Sequence, residues 1–131
     1  MELGDILGPD NIIPELRATN RWEAIDELIG NLVATGKVKP ENREAVTAAV
    51  RKREESMSTG IGGGIGIPHA STGLITEVIG ALGRSRKGID FDALDDQPVT
   101  QVLLLLIPKG QFQKHVNTLA EIVKHMHKAD G

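Results

Sequence analysis

The sequence contains no cysteine and no tyrosine, and its other aromatics are one tryptophan and two phenylalanines. Without cysteine there is no disulfide framework and no thiolate chemistry, which fits a reducing compartment. With so few aromatic faces there is no stacking platform for single-stranded nucleic acid. A net charge of −3 withholds the basic footprint that duplex DNA requires, so no nucleic-acid partner is expected. Long apolar runs are missing too: the longest, Val102 to Ile107, is far too short to span a bilayer. Met1 to Pro9 carries acidic residues and no basic n-region, so no signal peptide is expected there. What remains is a soluble, cytoplasmic protein whose 131 residues suffice for one domain with its own core.

The apolar spacing gives the expected elements. Asn20 followed by Glu23 predicts a capped helix start. Trp22, Ile25, Leu28, Ile29, Leu32 and Val33 then recur at helical spacing until Gly36. A second helix is expected from Pro40 through Ala45, Val46, Ala49 and Val50 to about Arg53, ending in the polar, basic "RKREES". Beyond Gly60 the period changes, and Ile65 to His69 reads as a short strand leaving a tight loop. Val78 to Leu82 reads as another strand, followed by a basic patch of Arg84, Arg86 and Lys87. Pro98 opens the run Val99 to Ile107. Leu103 to Ile107 is apolar without alternation, as in a central strand covered on both faces. Pro108 and Gly110 end it. A last helix is expected from about Gln113 to the C-terminus, with His115, Leu119, Ile122, Val123 and Met126 on one stripe. The sum is an α/β sandwich with helices on both faces of its sheet.

The most unusual stretch is "STGIGGGIGIPHA", Ser58 to Ala70, which holds five of the fifteen glycines. It is not a Walker A loop, because no lysine lies between Lys52 and Lys87. No register of Gly60, Gly62, Gly63, Gly64 and Gly66 completes the dinucleotide fingerprint either. Metal ligation is disfavoured: His125 and His127 are two apart on a helix and diverge, while His115 belongs to the apolar stripe. His69 taken alone suits a histidine satisfied by backbone at a strand end. Its setting adds a second reading. Pro68 fixes the chain before it, and the glycines let backbone N–H groups of Ser58, Thr59, Gly60, Gly62 and Gly64 form an anion-binding concavity. An imidazole beside such a loop is what attack on a phosphoryl group needs. His115, in the first turn of the last helix, is either a half-buried core residue or a second site histidine facing His69. Arg53 precedes the loop and offers a guanidinium to the same oxygens. Arg51 and Lys52 read as a solvated face.

"KREESMSTGIGGGIGIPHA", "GIDFDALDDQPVTQVLLLLIPKG" and "KHVNTLAEIVKHM" together resemble the enzyme IIA domains of the fructose–mannitol type. These belong to the bacterial phosphoenolpyruvate-dependent phosphotransferase system, whose nitrogen-regulatory IIA proteins share the fold. The likeness extends to "ILGPDNIIPEL" and "RWEAIDELIGNL", so it runs nearly the full length. It implies one IIA domain over residues 1–131 with a mixed sheet between helices; the sequence stops soon after His127, where family members usually continue with another helical segment. It also implies phosphorylation of His69 on a ring nitrogen, assistance by His115, and Arg53 as the active-site arginine. The donor would be the histidine-containing phosphocarrier protein and the acceptor an enzyme IIB domain, with no cofactor and no metal. The membrane enters only through a IIC transporter. The loop "ASTGLITE" lacks the basic residue often found just after the histidine, which leaves partner preference open. Two roles compete, sugar uptake and a regulatory module whose phosphorylation state controls a partner. A degenerate structural domain is disfavoured because His69, His115 and Arg53 are all present.

Overall fold

The computed structural model describes residues 7–56, 60–62, 64–91 and 97–111, together with 121 and 124. In chain order its elements are β1 (Ile12–Ile13), α1 (Arg21–Ala34), α2 (Arg43–Ser56), β2 (Gly60–Gly62), β3 (Ile65–Gly66), β4 (His69–Thr72), β5 (Ile79–Ile89) and β6 (Val99–Pro108). Single 3₁₀ turns, Pro9–Asn11 and Pro40–Asn42, precede β1 and α2.

α1 starts and stops where its capping chemistry dictates. Asn20 Oδ1 accepts from the Glu23 N–H at 3.0 Å. The Glu23 carboxylate reaches one residue further back than a capping box requires. It accepts from the Thr19 N–H and hydroxyl, each at 2.9 Å. The Thr19 N–H, and then its hydroxyl, hold that carboxyl below its usual pKa. At the other end the Gly36 N–H donates to Val33 O and the Lys37 N–H to Leu32 O, a Schellman closure. α2 runs to Ser56, three residues beyond the expected end.

The sheet has the order β1-β5-β6-β3-β2, with β4 also on β6. β5 is antiparallel to β6, whereas β3 and β4 are parallel to it, so the sheet is mixed. Leu103 to Ile107 lies at its centre and is buried throughout, as the lack of alternation predicts. Val102, Leu104 and Leu106 pack with Ile25, Leu28, Ile29, Val46 and Val50, beneath α1 and α2. Leu103 and Leu105 face the opposite side with Ile65, Ile67 and Leu82. The helix expected over that second face falls almost wholly outside the described residues, of which 121 and 124 are helical.

Two strands depart from the sequence reading. β5 continues to Ile89 through the basic patch, because Arg84 and Arg86 point outward while Ser85 between them is buried. The strand expected from Ile65 to His69 is two strands laid end to end on one edge of β6. Gly66 pairs with Val102 and His69 with Leu105, so the register is kept across Ile67 and Pro68. Pro68 has no N–H to give the ladder, yet its carbonyl still accepts from the Leu105 N–H at 3.0 Å. Among the described residues no helix is long and apolar enough to cross a membrane.

Gly66 is held to glycine by a neighbour. A Cβ there would sit 2.9 Å from Cε1 and Cζ of Phe91, a fully buried ring with no room to retreat. Gly66→Ala is expected to destabilise the fold by about 1–3 kcal/mol through overpacking. Urea unfolding of Gly66→Ala, alone and with Phe91→Leu, measures this; the second substitution should restore part of the loss.

Candidate active site

His69 opens β4 and is half-buried. Its register with Leu105 turns the side chain to the face of Leu103, Leu105 and Ile67, away from α1 and α2. Its Nδ1 lies 2.8 Å from the carbonyl oxygen of Ile67. A carbonyl can only accept, so Nδ1 carries the proton and, in the neutral ring, Nε2 carries the lone pair. Ile67 lies between β3 and β4, immediately before Pro68.

The electrostatics favour the neutral ring. Burial pushes the His69 pKa below its ordinary 6.5, the Ile67 carbonyl pulls it partly back, and the positive charge of Arg53 lowers it further. A ring kept neutral near pH 7 with a fixed tautomer is a competent nucleophile.

Arg53 is exposed in the last turn of α2, the helix that packs against β4. Its Nη1 lies 3.5 Å from Ser56 Oγ, and the Ser56 hydroxyl donates to the Arg53 carbonyl at 2.8 Å. His69 and Arg53 are therefore electrostatic neighbours although fifteen other residues separate them in sequence, as the numbering gives. Lys52 is exposed, as expected, whereas Arg51 pairs with Asp26 at 2.8 Å and lies over the Trp22 ring.

Of the glycine loop, Gly60 and Gly62 form β2 against β3, with an irregular register between them. Gly64 makes the turn back: φ is +78°, and its carbonyl accepts from the N–H groups of Thr100 at 2.8 Å and Gln101 at 3.0 Å. Ser58, Thr59 and His115, together with His125 and His127, lie outside the described residues. Two groups near these residues escape the sequence reading. One is the Ile67 carbonyl, a backbone group whose only signal is the proline that follows it. The other is Glu54, buried at four-residue spacing after Val46 and Val50, a spacing visible in the sequence.

The mixed sheet of this α/β fold thus presents a half-buried histidine whose Nδ1 is bonded to a carbonyl and whose proton affinity burial and an arginine lower. Residues 5–130 match the family "Phosphoenolpyruvate-dependent sugar phosphotransferase system, EIIA 2". The chain belongs to that family and is a phosphoryl-carrying component of the system. A nitrogen regulatory protein of Bradyrhizobium diazoefficiens is 31% identical over 130 residues, 99% of this chain and 83% of the relative. A fructose-specific EIIA component from Haloferax volcanii is 36% identical over 107 residues, 82% of this chain and 68% of the relative. Among solved structures, nitrogen regulatory protein IIA-Ntr from Neisseria meningitidis aligns with a TM-score of 0.79 at 27% identity, covering 90% of this chain and 79% of that one. The complex of mannitol enzyme IIA with phosphorylated enzyme IIB from Escherichia coli gives 0.70 at 23% identity, covering 88% and 79%, a likeness of fold.

The lowered His69 pKa sets a direction for stability. The unfolded chain protonates this ring near 6.5 and the folded protein only at lower pH. Stability is therefore intact above about 6.5 and falls as the pH drops from there toward the folded value. Ring-proton NMR, with His69→Gln used to assign the signal among the four histidines, should give a midpoint under 6.5. Arg53→Gln should raise it. An unmoved midpoint in that variant would place the guanidinium out of range.

Proposed function

We propose that Nε2 of His69 accepts a phosphoryl group from the histidine-containing phosphocarrier protein and passes it to an enzyme IIB domain, in the service of sugar uptake. The observation that carries this is the hydrogen bond from Nδ1–H to the Ile67 carbonyl, which in the neutral ring puts the lone pair on Nε2, the nitrogen that bonds to the incoming phosphorus. The Nε2–P bond forms as the donor's P–N bond breaks, and the electron pair of that bond returns to the donor ring. The Nδ1 proton stays in place. As Nε2 shares its pair the ring gains positive charge, and the Ile67 carbonyl dipole is already aimed at it. Delivery to the IIB domain is the same displacement in reverse.

Arg53 neutralises the phosphoryl oxygens, and the backbone of Ser58, Thr59, Gly60, Gly62 and Gly64 supplies further donors. His115 donates a hydrogen bond to the transferred group. No metal or other cofactor takes part. Residues 1–131 act as one IIA domain in the cytoplasm, where phosphoenolpyruvate is made, and meet the membrane only through a IIC transporter.

A second reading has its own support, since the Bradyrhizobium relative and the Neisseria structure both bear the name nitrogen regulatory protein. There the phosphorylation state would control binding to a regulatory partner. Transfer of label from the phosphorylated protein to a fructose- or mannitol-type IIB domain supports transport. Failure with every such domain, alongside phosphorylation-dependent capture of a defined partner, supports regulation.

Incubation with phosphoenolpyruvate, enzyme I and the phosphocarrier should give one acid-labile phosphate, located on Nε2 by NMR and absent from His69→Ala. Label persisting in His69→Ala would refute the assignment. Arg53→Ala should slow the reaction roughly ten- to a hundredfold, the worth of a charge-assisted bond of about 1.5–3 kcal/mol made in the transition state. For His115 the two substitutions should differ. His115→Ala should transfer far more slowly than His115→Gln, which keeps an amide donor, while both melt within a few degrees of the unaltered protein. Normal transfer by a strongly destabilised His115→Ala would make the residue a core element.

A further inference from the structure

Val46, Val50 and Glu54 follow one another at four-residue spacing, which puts a carboxylate on the inward stripe of α2. The Glu54 side chain is fully buried, and its Oε2 lies 3.6 Å from Nη1 of Arg21. Removing a carboxylate from water is costly, and an apolar residue of similar volume commonly stabilises such a place as well or better. Stability alone is therefore a poor reason for an acid there.

Its location supplies a better one. Arg21 is the first residue of α1 and is itself well anchored. Its guanidinium lies 4.6 Å from the centre of the Trp22 ring, and its N–H donates to the Asp90 carbonyl at 3.2 Å, next to the Asn20–Asp90 bridge. Glu54 ties the last turn of α2 to that anchor. Only Glu55 and Ser56 follow it in the helix, and Arg53 immediately precedes it. Helix ends fray unless something holds them.

We propose that the buried Glu54–Arg21 ion pair is a positioning device that fixes the last turn of α2 so that Arg53 is presented to His69. The proposal rests on the reading of His69 and Arg53 as the phosphoryl site. Glu54 acts through its neighbour, as a positioning residue.

The test uses two readouts on the full chain, the phosphorylation rate and the NMR midpoint of the His69 ring. Because the Arg53 charge lowers the proton affinity of His69, the midpoint reports where Arg53 sits without any transfer taking place. Glu54→Gln, folded by circular dichroism, should slow phosphorylation about three- to thirtyfold, within the loss shown by Arg53→Gln. It should also raise the His69 midpoint toward that of Arg53→Gln. The double variant should match Arg53→Gln in both readouts, because the two residues act in series. A folded Glu54→Gln with an unmoved midpoint overturns the proposal, as does a double variant slowed by the full product of the single losses. Should Glu54→Gln fail to fold, Arg21→Lys keeps the charge, moves its point of contact and is held to the same outcomes. If Arg53→Gln shifts the midpoint but transfers at the normal rate, the functional reading of Arg53 fails. The midpoint of Glu54→Gln still decides the positioning.

Discussion

A strand buried on both faces has no water to turn to, so the backbone of β6 must be satisfied by the chains on either side. That constraint organises the molecule. β5 serves one edge, from Ile79 opposite Leu106 to Ile89 opposite Val99. The other edge is served by residues 64 to 72 in succession. The Gly64 carbonyl takes two N–H groups, β3 pairs, the Pro68 carbonyl takes Leu105, β4 pairs, and the Thr72 carbonyl takes the Lys109 N–H at 2.9 Å. His69 lies within this series, so its Cα is placed by main-chain bonds before any side chain is considered.

The ring placed in this way meets opposing demands. An arginine that steadies phosphoryl oxygens also resists the positive charge an imidazole gains on bonding to phosphorus. The Ile67 carbonyl offsets that resistance at Nδ1, raising proton affinity where Arg53 lowers it. Burial then favours the neutral state. Partial desolvation and two opposed neighbours thus bias the His69 ring toward its uncharged form without removing its support for positive charge.

Much of the fold is legible in the sequence wherever a single physical signal dominates. β6 is an unbroken apolar run, and α1 is bracketed by Asn20 and Gly36. β5 is legible only as far as Leu82. Beyond it Arg84 and Arg86 alternate with a buried Ser85, so the inward face there lacks the apolar residue that marks a strand. Glu54 is obscured in the same way, since a carboxylate on an apolar stripe reads as the end of the stripe until Arg21 is seen beside it. The glycines before His69 suggest a cradle for an anion. Gly64 and Gly66 have packing reasons of their own, a left-handed turn and the approach of Phe91. Spacing identifies His69 and Arg53 as candidates, while the tautomer depends on a backbone carbonyl that no residue type reveals.

The length of β4 has one more consequence. β3 is covered on its outer side by β2, but among the described residues β4 pairs only with β6. An exposed row of backbone donors and acceptors invites another chain to add as a strand, the first step toward aggregation. Among the described residues that row is four residues long, Pro68 and Thr72 turn their carbonyls to β6 and leave only His69 and Ser71 to face outward, and Gly73 ends it in a turn. So short a row of outward-facing groups makes the edge beside His69 a poor template for self-association.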